Sequence, residues 1–190
     1  MPTASRTGIL SGNQINISWV ASHIAKPMNH HAMVTIRPAK PDDRDALERC
    51  FIELQAFERR IEPNRVDGES IAATYVDELF KICETSEGKI FVAEYGGVVA
   101  GFVCVLARTD SGEIIERWRE RGYITDIVVL NGYRRRGIGQ ALIKAAEDYA
   151  VARGAHTLMI GVLVSNEPAR GLYRAVGFRE TELILKKQIG

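Results

Sequence analysis

The first regular pattern of apolar and polar positions appears at Val34-Thr35-Ile36-Arg37, a short β-prone run closed by Pro38 and Pro41. Asp42 or Asp43 then supplies a helix cap, and Leu47, Cys50, Phe51, Leu54 and Phe57 recur at helical spacing. A second helix is expected from about Ser70, with Ile71, Tyr75, Leu79 and Ile82 on one side and Gly88 ending it. Ile90 to Tyr95 and Val98 to Leu106 read as a hairpin turning at Gly96-Gly97, a pair that tolerates positive φ. Both runs are nearly all apolar, which implies cover on both faces.

The stretch 110 to 122 is polar and reads as a solvated loop with one helical turn. Tyr123 to Val129 is a strand interrupted by one acid, Asp126, and Gly137 to Arg153 carries the clearest helical stripe, from Ile138 through Leu142 to Tyr149. Thr157 to Val164 is a further strand. Pro168 to Val176 is a short helix with a first-turn proline, and Glu182 to Lys187 a closing strand that could pair across a homodimer. The order β-α-α-β-β-β-α-β-α-β specifies an α/β fold: a mixed, mostly antiparallel central sheet with helices on both faces.

Length fits this picture: 190 residues make about one domain. The pattern places that domain at 34–190 and leaves 1–33 as a flexible N-terminal extension, with an upstream segment before a start at Met33, or a transit peptide, as the competing readings. A composition of 46% hydrophobic and 26% charged residues fits neither a disordered nor a membrane-embedded chain. A formal charge of +1 supplies no global field for polyanions, so any anion site must be local. Cys50, Cys83 and Cys104 lack metal or redox spacing and read as buried thiols in a reducing, cytoplasmic setting. No metal is expected.

The local anion site is found between a strand and a helix, in Asn131-Gly132-Tyr133-Arg134-Arg135-Arg136-Gly137-Ile138-Gly139-Gln140. Glycine lets backbone N–H groups approach a ligand, the helix start adds the positive end of its dipole, and the arginines offer bidentate donors: a phosphate cradle. A dinucleotide fingerprint would want a small residue where Leu142 stands, and a nucleoside-triphosphate loop would want Lys where Gln140 stands. Nucleic acid is disfavoured because Glu147 and Asp148 follow on the helix without an aromatic ladder.

Arg134-x-x-Gly137-x-Gly139, preceded by Asp126-Ile127-Val128-Val129 and followed by Asn166-x-x-Ala169-x-x-x-Tyr173-x-x-x-Gly177-Phe178, resembles the GNAT superfamily of acyl-CoA N-acyltransferases over roughly residues 34 to 190. The resemblance implies an acetyl-CoA-dependent N-acetyltransferase acting on a primary amine of a small polar molecule, without nucleic-acid or membrane partners. It implies a pyrophosphate held by Arg134, Arg135, Arg136, Gly137, Ile138, Gly139 and Gln140. The pantetheine arm would lie along Ile127, Val128 and Val129 like an added strand, with Asn166 bonding it and Ala169 beside it. The family splays that strand from its neighbour, often at a bulge, which frees main-chain donors for the thioester carbonyl. Tyr173 takes the position of the general acid, near the CoA sulfur.

Asp126 stands as a general base or amine anchor, against the alternative of a buried structural carboxylate; Tyr123, Glu113 and Glu116 are the substitutes. Members that acetylate protein N-termini often carry Glu five residues before the motif Asn, and Gly161 stands there instead. A non-catalytic acyl-CoA-binding regulatory or interaction module is the rival reading.

Overall fold

The structure is a computed structural model that describes residues 33–109 and 120–189. The expectations for 1–32, and for Glu113 and Glu116 in the 110–119 stretch, lie outside the described residues. Five strands form one sheet in the order β1-β2-β3-β4-β5: β1 (Val34–Pro38), β2 (Gly88–Tyr95), β3 (Val98–Thr109), β4 (Arg121–Val129) and β5 (Thr157–Ile160). The first three pairings are antiparallel and β4 with β5 is parallel, so the sheet is mixed and mostly antiparallel. Four α-helices accompany it among the described residues: α1 (Arg44–Ile61), α2 (Gly68–Thr85), α3 (Ile138–Val151) and α4 (Glu167–Ala175).

The sheet separates two apolar clusters, as the uninterrupted apolar runs of β2 and β3 require. On one face Leu47 and Cys50 of α1 and Val76 and Leu79 of α2 pack on Val92, Phe102 and Val128. On the other, Ile138, Leu142 and Ala146 of α3 pack on Ala93, Val103, Val105 and Ile124. Each fully buried aliphatic side chain contributes about 1.5–3 kcal/mol through removal from water. Gly96 (φ 60°) and Gly97 (φ 81°) turn the β2–β3 hairpin in the left-handed conformation expected of them.

Several details differ from the sequence pattern. Asp43 does not cap α1 with its side chain; its carboxylate accepts from both Arg37 Nη atoms (2.7 and 2.9 Å) and from the Lys40 amide (2.7 Å), which ties β1 to the helix start. Gly88 opens β2 rather than ending α2: Glu87 takes the left-handed turn (φ 47°), and a Cβ on Gly88 would lie 2.7 Å from the Cys83 Cα. Cys50 and Cys104 are buried, while Cys83 is half-buried with its sulfur 3.6 Å from that of Cys104.

The expected strand at 182–187 is absent, and β5 ends at Ile160 rather than Val164. Residues 178–189 form no strand. Charge pairs hold the segment instead: Glu180 accepts from Arg170 (2.7 Å) and Arg174 (2.8 Å) of α4, and Lys186 pairs with Glu62 beyond α1. A cavity of about 560 Å³ lies along β5 between Ile143, Ala150, Phe178 and Thr181. None of the candidate site residues lines it. No helix among the described residues is long and apolar enough to cross a membrane.

Candidate functional site

The site is organised by an irregularity in β4. Cys104 pairs with Asp126 but Val105 pairs with Ile124, so Thr125 is an extra residue in β4, a bulge. Strict alternation would place Ile124 and Asp126 on the same face. The bulge separates them: Ile124 packs beneath α3, and Asp126 stands with its register partner Cys104 on the face covered by α1 and α2. A single inserted residue therefore turns the lone acid of the strand away from α3 and toward the two N-terminal helices.

The parallel pairing of β4 with β5 also stops there, at Ile124↔Ile160. From Thr125 to Val129 the strand keeps β3 on one side and has no strand on the other among the described residues. Main-chain groups along that side, including some of Ile127, Val128 and Val129, are without a sheet partner. The far end is pinned closely to β3. A Cβ on Gly101 would fall 2.3 Å from the Val128 carbonyl oxygen, so only glycine allows this approach.

Beyond Val129 a 3-10 turn, Asn131–Tyr133, leads to Arg135 (φ 62°) and Gly137 (φ 77°), where α3 begins. Gly137 is the cap residue and has no side chain to accept the first-turn amides, so those of Ile138, Gly139 and Gln140 face outward without an intrahelical partner. The arginines divide the remaining work. Arg134 folds back, donating from Nε to the Val129 carbonyl (2.9 Å) and from Nη2 to Glu53 (3.3 Å), and the same Glu53 oxygen accepts the Asn131 amide (2.6 Å). Arg136 lies over the Tyr95 ring and donates to its hydroxyl (3.1 Å). Arg134 and Arg136 thus fix the loop, and Arg135 has no partner among the described residues. Gly139 gives α3 room beside α4, where its Cβ would meet Leu172 at 2.9 Å.

Asp126 is only 7% exposed. Tyr75, reaching from α2, donates its hydroxyl to the carboxylate at 2.9 Å from Oδ1 and 3.1 Å from Oδ2. Stacking of the Tyr75 ring on Phe51 of α1, with centroids 4.0 Å apart, holds that hydroxyl in place. Burial pushes the Asp126 carboxyl above the ordinary aspartate range, while hydrogen bonds from Tyr75 and Thr125 and the charge of Arg65 pull it back. Burial and the Asp126 charge push the Tyr75 hydroxyl up, so it remains a donor.

On α4, Asn166 caps the helix through its side chain, which accepts the Ala169 amide at 3.2 Å; its own amide NH₂ is left for another acceptor. Two turns on, Tyr173 is 8% exposed and packs against Phe178, with ring centroids 5.8 Å apart. Its hydroxyl has no hydrogen-bond partner among the described residues. Burial, and then the negative charge of Glu58, push that hydroxyl up. Tyr123 is half-buried at the start of β4, near Gly161.

Glu58 was not among the residues expected from sequence. It lies on α1 one turn beyond Leu54 and two beyond Phe51, an acid on the inward stripe, and that placement is the signal available in the sequence. Its Oε2 accepts from Arg65 Nη1 at 2.8 Å, and it is coupled electrostatically to Asp126 as well as to Tyr173. Tyr75, expected only as part of an apolar stripe, is the other addition.

The model of the acetyltransferase (GNAT) family matches residues 50–178. The chain is similar to an N-alpha-acetyltransferase of Sulfurisphaera tokodaii, 34% identical over 103 residues, covering 52% of this chain and 60% of that protein. It therefore spans less than two thirds of that relative. It is also similar to a thialysine N-epsilon-acetyltransferase of Bos taurus, 30% identical over 151 residues, covering 78% of this chain and 86% of that protein. Among solved structures, an aminoglycoside N-acetyltransferase in complex with CoA matches in fold, with a TM-score of 0.60 and 18% identity over 87% of this chain and 99% of the other.

Proposed function

The chain belongs to the GNAT acetyltransferase family, and from that premise we propose that it moves an acetyl group from acetyl-CoA directly to a primary amine of a small polar molecule. One observation carries the reading. Strand β4 loses β5 after Ile124↔Ile160, yet runs on for five residues to Val129, and the loop 130–136 then leads to a helix start whose cap is a glycine in the left-handed conformation. An extended arm rich in amides fits the unpaired side of Thr125–Val129, and a pyrophosphate fits the amides of Gly137, Ile138, Gly139 and Gln140 at its end. Arg135 adds a side-chain donor, Arg134 and Arg136 hold the loop in shape, and the NH₂ of Asn166 meets a carbonyl of the arm, with Ala169 beside it.

In the proposed reaction the amine nitrogen attacks the thioester carbonyl carbon; the C–N bond forms and the C–S bond breaks. A main-chain amide on the free side of β4 stabilises the charge gathering on the carbonyl oxygen. The attacking amine must be neutral, and Asp126, whose carboxyl burial has made more basic, takes the proton that the ammonium gives up. The Tyr173 hydroxyl gives its proton to the leaving CoA thiolate and regains one from the nitrogen, which sheds its remaining extra proton as the amide forms. Its lack of any partner among the described residues supports that role, because a hydroxyl serving only the structure of a core finds an acceptor.

The relatives differ in the acceptor their names give, an alpha-amine in one and the epsilon-amine of thialysine in the other. Gly161, five residues before Asn166, and the carboxylates of Asp126 and Glu58 support a small basic amine here. Thermal stabilisation by acetyl-CoA, followed by thiol release across classes of amine, tests the proposal. Binding without transfer to any amine would favour the non-catalytic module.

A further inference from the structure

Two of the three cysteines meet although 21 residues separate them in sequence: the sulfurs of Cys83, on α2, and Cys104, on β3, are 3.6 Å apart. The backbone is shaped to allow this. Glu87 adopts φ 47° where the chain passes from α2 into β2, and Gly88 lies so close to the helix end that a Cβ there would fall 2.7 Å from the Cys83 Cα and 2.9 Å from its sulfur. The pair is asymmetric. Cys104 is fully buried and Cys83 only half-buried, so Cys83 is the member open to a small reagent. Hydrogen bonding from Cys104 outweighs burial and holds the Cys83 thiol below the ordinary cysteine range, while the same bond, and then burial, push the Cys104 thiol up.

An accessible sulfur with a second thiol in contact behind it is equipped to sense hydroperoxides. We propose that Cys83 and Cys104 form a redox-modification site, a dithiol that hydrogen peroxide converts to a disulfide and that thiol reductants restore. The Cys83 thiolate attacks one peroxide oxygen; the O–O bond breaks, leaving a sulfenic acid on Cys83 and a hydroxide that takes the proton Cys83 gave up. The Cys104 sulfur then attacks the Cys83 sulfur; the S–S bond forms, the S–O bond breaks, and the departing oxygen takes the Cys104 proton. Two thiols are oxidised and one peroxide is reduced to two waters. Cys83 lies about two turns beyond Tyr75 on α2, and Cys104 is the register partner of Asp126. The new bond therefore ties together the helix and the sheet that the Tyr75–Asp126 hydrogen bond already joins.

The reduced full-length protein is treated with hydrogen peroxide, unfolded in iodoacetamide, and its peptides are mapped by mass spectrometry without reductant. The Cys83 and Cys104 peptides should appear joined, alkylatable thiols should fall from three to one, at Cys50, and dithiothreitol should restore all three. In Cys104→Ser, dimedone should trap the sulfenic acid on Cys83; in Cys83→Ser, buried Cys104 should react roughly tenfold or more slowly than Cys83 does. Three free thiols after peroxide, a bond to Cys50, or Cys83 running on to sulfinic acid without closing the bond overturns the proposal. The wild-type map decides even where a variant fails to fold. None of these readouts depends on acetyl transfer.

Discussion

Replacing Tyr75 by Phe removes one hydroxyl and keeps the ring that stacks on Phe51. The hydroxyl donates to both Asp126 oxygens, at 2.9 and 3.1 Å, and Asp126 is 7% exposed. Hydrogen bonds to a buried charged group are worth about 1.5–3 kcal/mol, against about 0.5–1.5 kcal/mol between neutral groups. Tyr75→Phe should therefore cost roughly 1.5–3 kcal/mol where Asp126 is ionised and about half as much where it is protonated. At about 2–4 °C per kcal/mol for a domain of this size, Tm should fall by roughly 3–12 °C at alkaline pH.

The sign with pH follows from linkage. The folded-state pKa of Asp126 already lies above its unfolded value, so stability declines as pH rises from the unfolded value through the folded one. Tyr75 opposes that shift. Without it the folded pKa rises further, and the deficit of the variant widens as pH increases. Urea unfolding across pH 4–9 measures this directly, and a cycle with Asp126→Asn isolates the charged part, since the hydroxyl should be worth about 1 kcal/mol less in the Asn background. In kinetics, the rising limb of kcat/KM should move to higher pH with the plateau little changed. A deficit that is constant with pH, or a rising limb that does not move, would refute the claim that Tyr75 tunes an active base.

Three further outcomes follow from the same geometry. Tyr173→Phe removes a buried hydroxyl with no partner among the described residues, so stability should stay within about 0.5 kcal/mol while kcat falls by roughly 10²–10⁴-fold and acetyl-CoA affinity is kept; unfolding curves beside single-turnover rates check both halves. Gly137→Ala forces a Cβ onto a residue at φ 77°, which should cost about 1–2 kcal/mol and weaken CoA binding measured by calorimetry. Hydrogen bonding to Arg37, and then to the Lys40 amide, holds the Asp43 carboxyl below the ordinary range. Asp43→Asn should cost about 1.5–3 kcal/mol at neutral pH, and the difference from wild type should shrink as pH falls through the wild-type carboxyl's folded pKa.

Local patterns revealed most of the fold because most of its elements obey a local rule. The apolar stripe of α3, the all-apolar hairpin strands and Gly96-Gly97 each specify their conformation within a few residues. Strand propensity alone did not do so at Leu183-Ile184-Leu185: these side chains have no strand to pair with and stay exposed, while Glu180 and Lys186 fix the segment through ion pairs. The bulge at Thr125 leaves no mark in composition, yet it decides which helices Asp126 faces. Nor does the sequence show that Arg134 is held by Glu53 and Arg136 by Tyr95, contacts spanning 81 and 41 residues. A run of three arginines looks like three equal ligands, and only the packing of α1 and β2 separates two that shape the loop from Arg135, which has no partner among the described residues. Glu58 was legible in principle, as an acid on a stripe that otherwise reads apolar.

Thiol release from acetyl-CoA with a panel of primary amines, with the acetylated product identified by mass spectrometry, bears most directly on the account. It predicts saturable release that requires the amine, favours small polar acceptors, and collapses in Asp126→Asn at neutral pH while that variant still binds CoA. Full release by Asp126→Asn, or CoA binding with no amine acetylated by the wild type, would contradict it.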